Sequence, residues 1–273
     1  MAITTDYHLH TYFSGDSEAP MEDMVKQAIS LGLTHICFTE HMDMDQPPAP
    51  NGEILNFEVN TDSYLFELIT LKEKYAKEIA INFGIELGLN PAISRKLAAY
   101  IKSFDFDFVI GSTHLCNGID PYFPEYFVGK SDEEAHREFF QCTLDNIKSF
   151  SNYDVYGHLD YIVRYGQNKD TNYSYNKHSD LIDEILKKLI YKEKGLEVNT
   201  AGLKKGLRDV HPYTDILKRY KELGGEIITI GSDAHTPSDM AFGYDHASAV
   251  LKECGFQYYC TFDKRMANFI PLK

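Results

Sequence analysis

The chain has 273 residues, 43% hydrophobic and 25% charged, the balance of a folded globular protein rather than a disordered or fibrous one. A formal charge of −14 and a pI near 5.2 count against a binder of DNA, RNA or anionic lipid, because the surface field repels polyanions. A small anionic substrate meets the same repulsion unless bound cations reverse the local potential.

Apolar runs of strand length alternate with amphipathic helical runs along the whole chain. Residues 6–8 form the first strand and "APMEDMVKQAISLG" the first helix, followed by "THICFTEH" as a strand and "TDSYLFELITLKEKYAKE" as a helix. Next come the strand "IAINFGIELG", the helix "PAISRKLAAYIKSF", the strand "FDFVIGSTH" and the helix "SDEEAHREFFQCTLDNIKSF". The series ends with "DVYGHLDY", "HSDLIDEILKKLIYKEKG", "GLEVNT", "YTDILKRYKELGG", "EIITIGSDAH" and a last strand "FQYYCTF". Apolar positions in the helical runs recur at three and four residues, as at Leu65, Leu68, Ile69 and Leu71, so one face of each packs inward. Gly32, Gly195 and Gly224 stand where helices should stop.

About seven βα repeats imply a parallel sheet, open or closed into a barrel. The chain reads as one domain, residues 1–273, since no linker, low-complexity tract or charge block interrupts it. No glycine fingerprint for a dinucleotide follows the first strand, which disfavours the open Rossmann arrangement. The barrel is favoured because nearly every strand run ends in a ligating residue: His8 and His10, Glu40 and His41, Glu86, His114, His158, Asn199, Asp233 and His235. In a barrel all strand ends meet on one rim, whereas in an open sheet the outer ones lie too far apart to share a site.

"HLH" alone is a weak signal, but its i, i+2 spacing places both imidazoles on one strand face, and "SDAH" repeats the geometry with Asp233 and His235. His41, His114 and His158 individually read as core histidines; their common place at strand ends is what that reading leaves unexplained. Glu86 is a carboxylate inside an apolar strand, costly to bury without a partner such as a cation. Imidazoles and carboxylates without thiolates suit zinc, manganese or iron in a hydrolytic site, and so many ligands are too many for one ion. Two or three divalent ions a few ångströms apart are expected, an arrangement that serves phosphoryl transfer to water.

With "HLHTYFSGDS", "FTEHMD", "GIELG", "GSTH", "GHLD" and "GSDAH" in place, the sequence resembles the PHP superfamily of metal-dependent phosphoesterases over nearly its whole length. "FTEHMD" and "EVNTAGLKKG" look most like its histidinol-phosphate phosphatase branch. The resemblance implies an α/β fold, a distorted (β/α)7 TIM-like barrel, with a trinuclear centre. It assigns His8, His10, Glu86 and Asp233 to one ion, Glu86, His114 and His158 to a second, and Asp16, His41 and His235 to a third. Many relatives carry a histidine where Asp16 stands, which leaves the third metal's identity open.

Arg164, and Arg208 in "NTAGLKKGLR", are expected to clamp phosphate, with Lys204 and Lys205 weaker candidates; a surface cation is the bland reading of each. The expected reaction is hydrolysis of L-histidinol phosphate by a hydroxide bridging two ions, with His41, His235 or Asp233 assisting the leaving alkoxide. Ser14 and Tyr12 are placed facing substrate. Asp43, Asp160 and Glu125 are candidates for its ammonium and imidazole groups, with Tyr12 or Phe13 against the ring. His35, His136, His178, His211 and His246 lie outside the motifs and read as surface or capping residues. The loop "CNGIDPYFPEYFVGKS" reads equally as a pocket wall or as a packed surface loop.

The five cysteines are scattered and odd in number, and read as reduced, partly buried thiols. The start lacks a basic segment followed by an apolar one, and no run has membrane-spanning length, so a cytoplasmic location with no membrane or nucleic-acid partner is expected. Competing functions are a phosphoesterase for another metabolite or nucleotide, a polymerase-associated exonuclease module, and a non-catalytic metal-binding regulator.

Overall fold

A computed structural model describes residues 2–273. In chain order the elements are β1 (Thr5–Leu9), α1 (Met21–Ser30), β2 (His35–Phe38), β3 (His41–Met42), α2 (Thr61–Lys74), β4 (Ala80–Gly88), α3 (Ser94–Ile101) and β5 (Phe108–Ser112). They continue with α4 (Asp132–Ser149), β6 (Val155–Tyr156), α5 (Ser179–Tyr191), β7 (Gly195–Asn199), α6 (Ala201–Lys204), α7 (Thr214–Glu222), β8 (Ile228–Gly231), α8 (Tyr244–Glu253), β9 (Tyr258–Asp263) and β10 (Met266–Pro271).

Strands β1, β2, β4, β5, β6, β7 and β8 pair in that order, all parallel, with β3 added on β4. The ring closes only at the strand ends: the Asp233 amide donates to the His8 carbonyl at 2.9 Å and the His10 amide to the Ala234 carbonyl at 3.0 Å. The sheet is therefore a distorted TIM-like barrel with helices outside, as the ligating residues at the strand ends predict. Tyr7 and Phe108 belong to strands that are not neighbours in the sheet, yet their rings meet at 5.3 Å, so they touch across the interior. Cys260 and Phe262 of the β9–β10 hairpin join them in an apolar cluster, and the Tyr7 hydroxyl and Asn82 amide donate to the Phe262 carbonyl. The hairpin thus plugs the barrel from one side, leaving the carboxyl ends of the strands to carry chemistry.

Several expectations are corrected. "FQYYCTF" is a strand but pairs antiparallel with β10 and stays off the parallel sheet. Gly195 does not stop a helix: α5 ends at Tyr191 and Glu193 takes the left-handed backbone at φ 56°. Gly195 instead opens β7, where a Cβ would collide with Ile227. His136, His178 and His211 are buried rather than superficial, whereas His35 is half-buried and His246 exposed. Cys116 and Cys142 form a disulfide, with Cα atoms 5.8 Å apart, because the loop after β5 lies against α4; Cys37, Cys254 and Cys260 are buried free thiols. Among the described residues no helix is long and apolar enough to cross a membrane.

Candidate metal centre

The carboxyl ends of the strands bring His8, His10, His41, Glu86, His114, His158, Asp233 and His235 together, with Asp16 reaching in from the loop after β1. Register does part of this: His41 of β3 lies directly beside Glu86 of β4. Asp233 sits in the left-handed region at φ 54°, a conformation Asp tolerates better than most residues. The glycine before Ser232 is also required: a Cβ on Gly231 would strike His8 and Glu197.

Glu86 is fully buried at the middle of the group. His114 Nε2 is 3.2 Å and His158 Nε2 3.0 Å from its Oε1; His41 Nδ1 is 3.0 Å, His8 Nε2 3.3 Å and His10 Nε2 3.6 Å from its Oε2. His8 and His10 also face Asp233 Oδ1 at 3.7 and 3.5 Å. Asp16 spans His41 Nε2 at 3.7 Å and His235 Nε2 at 3.1 Å. Three sets of donors each have ligand atoms within 4.8 Å of one another: His8, His10 and Asp233; His41, Glu86 and His114; and His10, His41 and His235. Three sets sharing His10 and His41 make a clustered centre rather than isolated sites.

The donors are poorly satisfied by one another. His8 Nε2, His10 Nε2, His41 Nδ1, Glu86 Oε2 and His235 Nε2 are buried without a hydrogen-bond partner. Each such orphan costs about 1–3 kcal/mol, and several converging on a few ångströms is the arrangement that divalent cations resolve. Although burial opposes charge, His8 and His114 hold the Glu86 carboxyl well below its usual range. His8, with His10 and Arg164, does the same for Asp233. Burial, then His41 and His235, push the His10 imidazole well down, so it is neutral.

A surrounding layer of hydrogen bonds aims these groups. Glu197 Oε1 meets His8 Nδ1 at 2.5 Å, and Asp43 Oδ1 meets His114 Nδ1 at 2.7 Å. His10 Nδ1–H donates to Ser14 Oγ at 2.9 Å, and Ser14 donates onward to Glu40 Oε2 at 2.5 Å. A partner on the far nitrogen holds a proton there, which leaves the near nitrogen as the one that can ligate a cation. Thr11 also donates to Glu40 through its amide and hydroxyl, which satisfies that buried carboxylate.

The remaining residues singled out from sequence fall into two groups. Arg164 is buried at the centre's edge and donates to Asp233 Oδ2 at 3.1 Å. Arg208 is directed elsewhere, with its guanidinium bonded to the Tyr173 carbonyl and over the Tyr213 ring. Tyr12 is exposed and hydrogen-bonded to Glu67, Glu125 is exposed, and the Ser14 hydroxyl is enclosed among Glu40, His10 and the His41 amide. Asp160 is engaged by His211 and the Tyr213 amide. Glu197 and Asp120 enter the site's surroundings without having been singled out, and His211 enters them although it read as a surface residue; Glu197 carried the same signal as Glu86, a carboxylate within an apolar strand.

A model of the PHP domain matches residues 6–201. Over 258 residues, 94% of this chain and 93% of the relative, the sequence is 36% identical to the histidinol-phosphatase of Lactococcus lactis subsp. lactis. The chain belongs to the PHP family, in its histidinol-phosphatase branch. This PHP chain is also 32% identical to a probable histidinol-phosphatase of Clostridium acetobutylicum, covering 97% of this chain and 98% of that one. The crystal structure of the Lactococcus lactis histidinol phosphate phosphatase, complexed with zinc, L-histidinol and phosphate, superposes with a TM-score of 0.88 at 35% identity, covering 97% of this chain and 98% of that chain. The PHP fold expected from the motifs is thereby borne out.

Proposed function

We propose that the chain hydrolyses L-histidinol phosphate to L-histidinol and phosphate, using two to three divalent transition-metal ions (zinc, manganese or iron) held by His8, His10, Asp16, His41, Glu86, His114, His158, Asp233 and His235. The observation that carries the reading is the cluster of unpartnered buried nitrogens around Glu86, in a chain whose relatives are histidinol-phosphatases. Bound ions of this kind make water a nucleophile at neutral pH and neutralise phosphoryl charge.

The protein's own groups have separable tasks. Glu197, Asp43 and Ser14 keep protons on the outer nitrogens of His8, His114 and His10. Arg164 supplies a fixed cation beside Asp233. His41, His235 and Asp233, with His235 Nδ1 3.8 Å from Asp233 Oδ1 and the His41 and His235 rings 5.9 Å apart, are assigned to assist the leaving alkoxide. Tyr161 lies 5.0 Å from the His158 ring and, with Tyr165, makes an aromatic wall. Asp120 is on that wall: its Oδ1 accepts from the Tyr122 amide at 2.8 Å and from the Tyr161 hydroxyl at 3.3 Å, while Oδ2 meets no donor among the described residues. Oδ2 is assigned to the substrate ammonium, since Asp160 and Asp43 are engaged and Glu125 is exposed.

The test couples metal analysis of the purified protein to phosphate release from L-histidinol phosphate and a panel of other phosphomonoesters. Bound divalent metal and the highest kcat/KM on L-histidinol phosphate are expected. A higher kcat/KM on an unrelated ester overturns the substrate assignment.

A further inference from the structure

Outside the ligand cluster, the most fully determined polar arrangement runs from Asp160 through His211 to Arg164. Asp160 and His211 are 0% exposed and Arg164 6%. Arg164 Nε–H points at His211 Nε2 at 3.1 Å, and a guanidinium nitrogen can only donate, so His211 Nε2 must be the bare, accepting nitrogen. The ring proton therefore sits on Nδ1, where it meets Asp160 Oδ1 at 2.5 Å. Asp160 Oδ2 takes the Tyr213 amide at 3.0 Å, which fixes the carboxylate's orientation.

The His211 backbone is equally constrained. Its amide and carbonyl pair with Asn199 at the end of β7, at 2.8 and 2.7 Å, and a Cβ on Gly202 would press into the His211 ring. At the other end, Arg164 Nη2 donates to Asn199 Oδ1 and Asp233 Oδ2, each at 3.1 Å. Nη1 meets no acceptor among the described residues and is not among the sealed, unpartnered atoms. The guanidinium is thus held on two sides, with one corner left for an anion.

We propose that Asp160 and His211 are positioning residues that hold Arg164 by fixing the location of one proton, so that Nη1 is presented to the phosphoryl group. The proposal rests on the phosphatase reading for its ligand, but the pair's logic requires only that an anion bind at Arg164. Neither residue touches substrate. Their effect is expected in phosphate affinity, with metal content unchanged.

Inorganic phosphate is the probe, titrated calorimetrically into the metal-loaded protein, alongside steady-state kinetics with L-histidinol phosphate. In Asp160→Asn the Tyr213 amide keeps the side-chain oxygen on its side, so the new NH2 faces His211 Nδ1 and drives the ring proton onto Nε2, against Arg164 Nε–H. Phosphate affinity should fall about tenfold or more, the scale of one hydrogen bond to a charged group, with KM raised more than kcat is lowered. His211→Gln keeps an acceptor for Arg164 and a donor for Asp160 and should stay near wild type, whereas His211→Leu, similar in size, should lose affinity as Asp160→Asn does.

The Gln and Leu comparison carries the test if Asp160→Asn proves unstable. Equal behaviour of the two His211 variants, or a loss of kcat at unchanged phosphate affinity, overturns the proposal. Phosphate that binds normally to a wild-type protein inactive on L-histidinol phosphate would overturn the substrate reading instead, leaving the pair's role to be read from the calorimetry alone.

Discussion

Replacing Glu197 with glutamine should weaken metal binding while leaving the fold in place. Glu197 is 1% exposed, with Oε1 2.5 Å from His8 Nδ1. Its Oε2 accepts from the His158 amide at 2.9 Å and from Asn199 Nδ2 at 3.2 Å. In Glu197→Gln those two donors hold the amide oxygen on their side, so the NH2 turns to His8. A donor at Nδ1 shifts the His8 proton to Nε2, the atom that faces Glu86 at 3.3 Å and Asp233 at 3.7 Å, and a protonated nitrogen cannot ligate. Loss of such an outer partner lowers metal affinity about 10- to 100-fold, or about 1.4–2.8 kcal/mol. Competition against a chromophoric chelator at fixed pH, with metal content measured on the same samples, reads this directly. Wild-type affinity in the variant would refute the reasoning, as would a loss that merely tracks a lowered Tm.

Glu86→Ala should lose metal stoichiometry and phosphatase activity together, because five imidazoles face that one carboxylate; full occupancy and rate, by metal analysis and phosphate release, would count against it. Asp120→Asn should cut kcat/KM on L-histidinol phosphate roughly tenfold to a hundredfold, the value of a hydrogen bond to a charged group, while p-nitrophenyl phosphate, which has no ammonium, is hydrolysed as before. Equal losses on both esters would remove Asp120 from the ammonium site. His136, buried on α4, has its imidazole pushed down from 6.5 to about 4, first by burial and then by His178. Its folded pKa lies below its unfolded one, so the stability it contributes is complete above about pH 6.5 and is lost as pH falls toward 4, by about 3 kcal/mol in all. His136→Phe should flatten the acid limb of a Tm-against-pH curve, and parallel curves for variant and wild type would disprove this.

How much of the site the sequence disclosed depends on whether a residue's signal was local. His8 with His10 and Asp233 with His235 announce themselves by i, i+2 spacing at strand ends, and Glu86 by an apolar strand around it. The barrel follows from the same fact, because only a closed sheet brings those ends together. Glu197 had an equally local signal in "GLEVNT", although the strand-end pattern drew the reading to Asn199. Arg164 and Asp160 stood out singly, as a phosphate clamp and as a substrate carboxylate, but their link through His211 had no local signal: His211 lies 51 residues beyond Asp160 and 47 beyond Arg164, and only the pairing of its backbone with Asn199 brings its ring to them. Cys116 and Cys142 likewise meet only because α4 packs on the loop after β5, and a separation of 26 residues carries no motif. Arg208 shows the converse. Proximity in sequence to Asn199 suggests a rim residue, but the turn after α6 carries its guanidinium toward Tyr173 and Tyr213.

The excess of acidic residues then has a specific bearing on the reaction. With a formal charge of −14, and with Glu86, Asp233 and Asp16 adding carboxylates at the centre itself, the apoprotein offers a phosphate dianion, besides the Lys205 ammonium over the Tyr165 ring, only the Arg164 guanidinium among the described residues. That cation is itself drawn to Asp233. Phosphate affinity must therefore come mainly from ions that the carboxylates and imidazoles recruit, since each divalent ion outweighs one carboxylate and leaves net positive potential. The acidic surface therefore does not keep the enzyme from drawing its own anion once the centre is loaded. It also makes the outer hydrogen bonds consequential: by holding a proton on the outer nitrogens of His8, His10 and His114, Glu197, Ser14 and Asp43 leave the inward nitrogens as the ones that can ligate the ions on which the positive field depends.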